Sequence, residues 1–471
     1  MKENDIDSNK VQPEPERIDL RRARFASGAL VVYKALKQDG LVTELCQMLE
    51  HMDSEHPDLF RIIDLYSSVG YKLFAEGTGL RGYIIEKLLH TESPFSRAAE
   101  AGGAECLTGA IAAAVANDLG QLQILASMRS EWIRDFILHL CKDDEVIQEA
   151  VMKLPLWPDD GKLQLQADND RFPKDTSTID TCSIRELLLN SRSWPDCADA
   201  LADFHRRCGS GLFSRYRAFV WKDGTFSGVE SPDPVLFSDL ISYELEREDI
   251  IQNTLHFLDG KPANNILLYG DRGTGKSTTV KALVNEYHGR GLRMIEVPKR
   301  QLADFPQIIR QLAGRSLKFI LFVDDLAFED NEENYTALKA ALEGGLESKP
   351  ANVLIYATSN RKHLIKERFS DRAGLASGNA DDEVRAADTM QEKLSLSDRF
   401  GMTIVFSSPD KRRYLEIVEG IAEKRGLHFD SEYIRREALK WEMQYNGRSP
   451  RTARQFVDWL EGQPGMHAEY R

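Results

Sequence analysis

No stretch of this 471-residue chain constrains its fold as tightly as Gly270-Asp271-Arg272-Gly273-Thr274-Gly275-Lys276-Ser277. The octet fits the phosphate-loop pattern G-x-x-x-x-G-K-[ST]. Three glycines let the backbone wrap a polyphosphate so closely that successive amides point inward. Lys276 adds positive charge at the outer phosphates, and the Ser277 hydroxyl is placed to hold Mg²⁺. Thr278 follows directly and is assigned to the same phosphate-binding stretch. Asn265 to Tyr269 has the length of a buried strand, and Val280, Leu283, Val284 and Tyr287 fall on one face of a helix. Strand, loop and helix thus come in the order that aims a helix amino terminus at an anion. The alternative is a plain glycine-rich turn.

A chain of this length holds two to four domains. Its net charge of −14 argues against a general affinity for nucleic acid or an anionic membrane. No apolar run reaches the roughly 18 residues that span a bilayer, and the acidic, polar amino terminus does not read as a secretory signal. Six cysteines (Cys46, Cys106, Cys141, Cys182, Cys197 and Cys208) precede the octet without a C-x-x-C pair. They read as reduced, mostly buried thiols of a cytoplasmic protein.

Residues 1–20 read as a disordered lead-in. Residues 21–210 read as a mainly α-helical domain, with periodic stretches at 58–76, 81–90, 104–117, 119–141 and 195–207. In 119–141, Leu122, Leu125, Met128, Trp132, Phe136 and Leu140 contribute to a broad apolar stripe, the mark of a helix-bundle core more than of a groove. Residues 211–232 read as a hairpin and linker, with Asp223-Gly224 as its turn and a break at Ser231-Pro232-Asp233-Pro234. Residues 233–407 alternate helical stretches with apolar runs at 265–269, 293–297, 319–323, 353–357 and 403–406, which indicates an α/β domain with a parallel sheet covered on both faces. From 408 to 471 the chain is helical again, with Ser408-Pro409 as an expected cap and first-turn proline.

Candidate chemistry collects at the ends of these runs. The third run passes straight into Asp324 and Asp325. Asp324 can orient a Mg²⁺ shell, and Asp325 can polarise an attacking water. Asn360, at the tip of the fourth run, can hold the same water or touch the γ-phosphate, or it can cap a helix. Arg399 precedes the fifth run, where it could also pair with Asp398. Arg451 falls in the first turn of the last helix, where a cation opposes the helix dipole by about 0.3–1 kcal/mol, so a nearby anion is expected. That makes Arg451 a sensor of bound nucleotide from the lid, with Arg448 and Arg454 as alternatives.

With these five elements in order, residues 233–462 resemble an AAA+ ATPase module: a five-stranded α/β P-loop NTPase core with a small helical lid. Stretches 262–265, 324–328, 342–345 and 395–401 resemble more closely one bacterial family of ATP-binding AAA+ proteins with no assigned role. The resemblance implies ATP and Mg²⁺ as cofactors. It implies hydrolysis, and Arg399 reaching across a subunit boundary to the neighbour's γ-phosphate. It also implies a homo-oligomeric ring or open spiral, a hexamer among the options. Leu240 to Leu258 resembles the approach helix that walls the adenine pocket, so Ile241 and Tyr243 either contact the base or simply pack. ATP rather than GTP rests on this likeness alone. Asp325 stands where the superfamily usually has Glu, which implies slow hydrolysis. Three functions are consistent with this: remodelling of an unknown protein client bound by the amino-terminal domain, a slow ATP-gated switch recruiting a partner through that domain, and, last, nucleic-acid remodelling. The stretch from Ser370 to Met390 reads as a mobile insertion.

Overall fold

The computed structural model describes residues 20–160, 176–326, 332–343, 350–360, 399–427, 430–445 and 447–463. The expected lead-in up to residue 19, Asp398 and the insertion between Ser370 and Met390 lie outside them. The chain divides into two compact units, one of 1–99, 104–168 and 182–202, the other of 100–103, 169–181 and 203–471.

The first unit is helical, as its periodicity indicates. Its helices include Gly40–Met52, Leu59–Glu76, Leu80–His90, Gly109–Ala126 and Ser130–Leu140. Aspartates start the first two: Asp39 accepts from the amides of Leu41 and Val42, and Asp58 from that of Arg61. Gly77, left-handed at φ 65°, ends the second. Leu45, Leu49, Ile62, Leu65, Val69, Leu119 and Leu122 are buried between them.

Two expectations change here. The gap expected between 104–117 and 119–141 is absent, because Asp118 lies fully buried inside Gly109–Ala126 and accepts from the amides of Val31 and Tyr33. The stretch 119–141 is instead broken at Ser127, whose hydroxyl donates to the Gln123 carbonyl at 2.7 Å. The side chain competes for a helical acceptor, and a new helix begins at Ser130.

The second unit is built on one seven-stranded sheet: β1 (Ala218–Lys222), β2 (Thr225–Gly228), β3 (Ile266–Gly270), β4 (Leu292–Glu296), β5 (Lys318–Val323), β6 (Val353–Ser359) and β7 (Met402–Phe406). Their order is β2-β1-β4-β5-β6-β3-β7. All five expected runs are present and parallel. The hairpin is more than a linker, since β1 pairs in parallel with β4 (Ala218 opposite Met294) and extends the sheet. Its turn residues Asp223 and Gly224 both have positive φ, as the tight hairpin turn requires. Every residue of β6 is buried, as expected for a strand covered on both faces.

One face of the sheet packs on the approach helix Glu244–Leu258, the loop helix Lys276–Tyr287 and the lid. The other packs on Phe305, Ile308 and Leu312 with Phe219 and Trp221. Each such side chain contributes roughly 1.5–3 kcal/mol on full burial. The lid has three helices, Lys411–Lys424, Ser431–Gln444 and Pro450–Glu461, capped by Asp410, Asp430 and Ser449. Ser408-Pro409 is not the cap expected. Asp410 takes that role by accepting from the Arg413 amide at 2.7 Å, while the Ser408 amide donates to Asp271.

Candidate functional site

Parallel strands place their carboxyl ends together, and β3, β5 and β6 each deliver a functional group to one edge of the sheet. β3 ends at Gly270, whose φ of 141° is closed to L side chains; a Cβ there would lie 2.0 Å from the Phe406 carbonyl oxygen. Gly273 has φ 78°, and a Cβ on it would meet the Ser449 hydroxyl at 3.0 Å and the Arg451 Cβ at 3.1 Å. The phosphate loop is therefore pressed against β7 on one side and the last lid helix on the other. The Arg451 amide donates to the Gly273 carbonyl at 3.2 Å.

Lys276 is 5% exposed. Its ammonium donates to the carbonyls of Gly270 and Asp271 at 2.9 and 2.7 Å and to Asn360 Oδ1 at 3.1 Å. Burial lowers its pKa to about 8, opposed by the carboxylates of Asp271, Asp324 and Asp325. Asp271 accepts from the Ser408 amide, and hydrogen bonds from Ser408 hold its carboxyl below the ordinary range.

The Ser277 hydroxyl donates to Asp324 Oδ1 at 2.5 Å, and the Thr358 hydroxyl donates to the same oxygen at 2.6 Å. Thr358 also accepts from the Asp325 amide at 2.8 Å, which fixes the turn after β5. In that turn Asp325 is left-handed, with φ 50°. Its carboxylate accepts from Asn360 Nδ2 at 2.6 Å and pairs with Lys299 at 3.1 Å. Asn360 therefore bridges Lys276 and Asp325, one amide atom to each.

These groups face a cavity of about 580 Å³, whose lining includes Arg272 to Thr279, Asp324, Asp325, Thr358 and Asn360. The lining also includes Asp239 to Tyr243, with Ile417, Ile421, Arg451 and Arg454 from the lid. The donors suit a hard cation bound with phosphate, because Ser277 and Asp324 present a hydroxyl and a carboxylate oxygen at one point. Among the described residues no cluster of three or more His, Cys, Asp or Glu could hold a metal unaided. One or two protein oxygens completed by phosphate and water is the pattern Mg²⁺ uses.

Most of the candidates from the sequence thus meet: Arg272, Gly273, Thr274, Gly275, Lys276, Ser277, Thr278, Asp324, Asp325, Asn360, Arg451 and Tyr243 all line the cavity. Gly270 and Asp271 support the loop from outside it. Arg448 pairs with the buried Glu442 at 2.5 Å and faces another cleft, which leaves Arg451 and Arg454 as the lid cations of this site. Arg399 does not join them. It precedes β7, whose first residue Met402 lies beside Ile266, so four residues of β3, roughly 13 Å at strand rise, separate that level from Gly270. The Tyr243 ring is packed against Phe406 (centroids 5.3 Å apart) and lies under the Arg413 guanidinium at 4.0 Å, so the ring does not serve as an open platform for a base.

Two residues that hold the candidate acids were not singled out from sequence. Thr358 had a signal, since it lies at the carboxyl end of the same run, two residues before Asn360. Lys299 had none, because its place depends on β4 lying beside β5: with Glu296 opposite Phe322, three further residues bring Lys299 level with Asp325.

A family model described as "Protein of unknown function (DUF815)" matches residues 214–464, more than half of the chain. A putative 26S proteasome regulatory subunit homolog of Methanocaldococcus jannaschii is 24% identical over 44% of this chain and 62% of its own length. Replication factor C subunit 3 of Saccharomyces cerevisiae is 26% identical over 37% of this chain and 54% of its own. The match thus spans less than two thirds of either relative. Among solved structures, a Thermotoga maritima RuvB mutant aligns with a TM-score of 0.34 at 14% identity, covering 48% of this chain and 64% of that one.

Proposed function

The chain belongs to the DUF815 family, and we propose that its second unit is an AAA+ module that binds ATP with Mg²⁺ and hydrolyses it in a homo-oligomer. The observation that carries the proposal is the convergence of Lys276, Ser277, Asp324, Asn360 and Arg451 on one cavity. The loop amides and Lys276 bind the phosphates, while Ser277 and Asp324 would hold Mg²⁺, which when bound neutralises charge on the β- and γ-phosphates. Asp325 and Asn360 orient the attacking water. Arg451 and Arg454 contact the phosphates from the lid. Arg399, remote from its own chain's site, acts on a neighbour's.

Mixing Lys276→Ala with Arg399→Ala subunits tests the shared site. Each variant alone is inactive, whereas a mixed assembly contains some intact sites and recovers phosphate release. If mixed assembly is shown independently and no activity returns, sites are not shared. Calorimetry showing no Mg²⁺-assisted uptake of ATP by the wild type would sink the proposal as a whole.

One observation favours a second reading, a slow ATP-gated switch that recruits a partner through the helical unit. The Asp325 carboxylate is already engaged by Lys299 and Asn360, which restrains it as a base. Turnover near background with long-retained nucleotide would support the switch, and brisk turnover on adding a client would support remodelling. The client, in either case, is a protein; the net charge of −14 gives no support to nucleic acid.

A further inference from the structure

We infer that Arg413 positions the base-binding end of the nucleotide cavity, by clamping its two walls together. The inference rests on the nucleotide reading above and goes beyond it, because the phosphate-binding groups play no part.

The two walls belong to different elements. One is the segment Asp239 to Tyr243 ahead of the approach helix, and the other is the first lid helix, which presents Ile417 and Ile421. Arg413, Ile417 and Ile421 are spaced i, i+4, i+8, so they share one helix face. Two of the three line the cavity, and the third grips the opposite wall. The Arg413 guanidinium lies 4.0 Å from the centre of the Tyr243 ring, donates from Nε to the Ser242 hydroxyl and approaches Glu246 at 3.5 Å. Two turns along the same helix, Gly420 brings the backbone so near that a Cβ would meet Ile241 at 2.8 Å.

What Arg413 grips is strained. Ser242 and Tyr243 are consecutive non-glycine residues with φ of 70° and 65°. L side chains disfavour that conformation, and it persists only where the surroundings impose it. Here they do so from three sides: the Tyr243 hydroxyl donates to the Ser407 carbonyl at 2.6 Å, Phe406 stacks on the ring, and Arg413 closes over it. With the ring thus occupied, Tyr243 is a strut. The surface left for a flat heteroaromatic base is the aliphatic slot made by Ile241, Ile417 and Ile421. Arg413 holds that slot at a fixed width without touching the base, which makes it a positioning residue.

A ligand with phosphates but no base separates this role from general damage. The full-length chain with Mg²⁺ is titrated with ATP and with inorganic tripolyphosphate, as wild type, Arg413→Met, Arg413→Lys and Ser242→Gly. The wild type is expected to prefer ATP. Arg413→Met should lose about tenfold in ATP affinity, the size of a partly buried cation–π contact, and keep its tripolyphosphate affinity. Arg413→Lys should recover part of the loss, because an ammonium also sits over a ring. Ser242→Gly relaxes the strained turn with the guanidinium in place, and should lower ATP affinity selectively as well. Equal losses for both ligands in Arg413→Met, or no loss for either, overturn the inference. A wild type that binds both ligands equally also overturns it, while the phosphate site stands. A wild type that binds neither removes the nucleotide reading itself.

Discussion

If the cavity binds a nucleotide as proposed, the depressed pKa of Lys276 makes that binding a proton-linked event, with a sign that follows from the burial of its ammonium. Burial brings the ammonium from 10.5 to about 8 in the unliganded chain. A bound triphosphate places negative charge beside it and restores the charged form, so binding takes up a proton wherever the free lysine is neutral. Uptake should be small at pH 7, about half a proton at pH 8 and close to one at pH 9, since the unliganded lysine is half protonated at its pKa. ATP affinity should accordingly fall as pH rises through 8, approaching tenfold per unit above 9. The terminal phosphate, ionised from about pH 6, contributes little in this range. Calorimetry in buffers of different ionisation heat reads the uptake directly. Lys276→Arg, permanently charged, supplies the control and should show none. Uptake that persists in Lys276→Arg, or is absent from the wild type at pH 9, refutes the assignment. Stability of the unliganded chain moves the other way. Its folded pKa lies below the unfolded 10.5, so the unfolded chain binds more protons between about 8 and 10.5 and this group's penalty is relieved as pH rises through that window.

Three further outcomes are expected. Lys299→Met frees the Asp325 carboxylate; with the pair 41% and 58% exposed the change costs at most about 1 kcal/mol of stability, and phosphate release should rise by up to about fivefold, so a fall in turnover would contradict the restraint. Gly270→Ala forces a Cβ toward a carbonyl that would lie 2.0 Å away and should cost about 3 kcal/mol or more, read as a lowered urea midpoint; an unchanged midpoint would contradict the loop's packing against β7. Thr358→Val removes the hydroxyl that joins Asp324 to the Asp325 amide, at about 1–3 kcal/mol. It should shrink the gain in ATP affinity on adding Mg²⁺ while leaving metal-free binding intact, and equal loss in both conditions would argue against it.

How far the sequence spoke for the structure depended on whether the signal was local. Strand, loop and loop helix were legible because a phosphate loop needs glycine at fixed offsets and a parallel strand buried on both faces reads as an unbroken apolar run. The lid cation was only partly legible, since Arg448, Arg451 and Arg454 all lie near the start of one helix. Pairing decides among them: Arg448 is committed to Glu442, whereas Arg451 and Arg454 face the cavity. The break at Ser127 and the continuity through Asp118 were not legible. Each depends on a side-chain hydrogen bond, to the Gln123 carbonyl in one case and from the amides of Val31 and Tyr33 in the other.

The hairpin and Lys299 were hidden for one shared reason, and it bears on how the site is controlled. Strand order is a long-range property: β1 joins the sheet beside β4, and β4 in turn lies beside β5. Lys299 follows β4, and Asp325 follows β5, so the restraint on the candidate water-orienting acid depends on register across one strand pair. That same β4 carries the hairpin on its other edge. A force or contact that shifted the hairpin by one residue would reverse the facing of β1 against β4, which the buried Phe219 and Trp221 oppose. The hairpin therefore stiffens the strand from which Lys299 reaches Asp325, and an addition that looks peripheral in sequence supports the geometry of the acid.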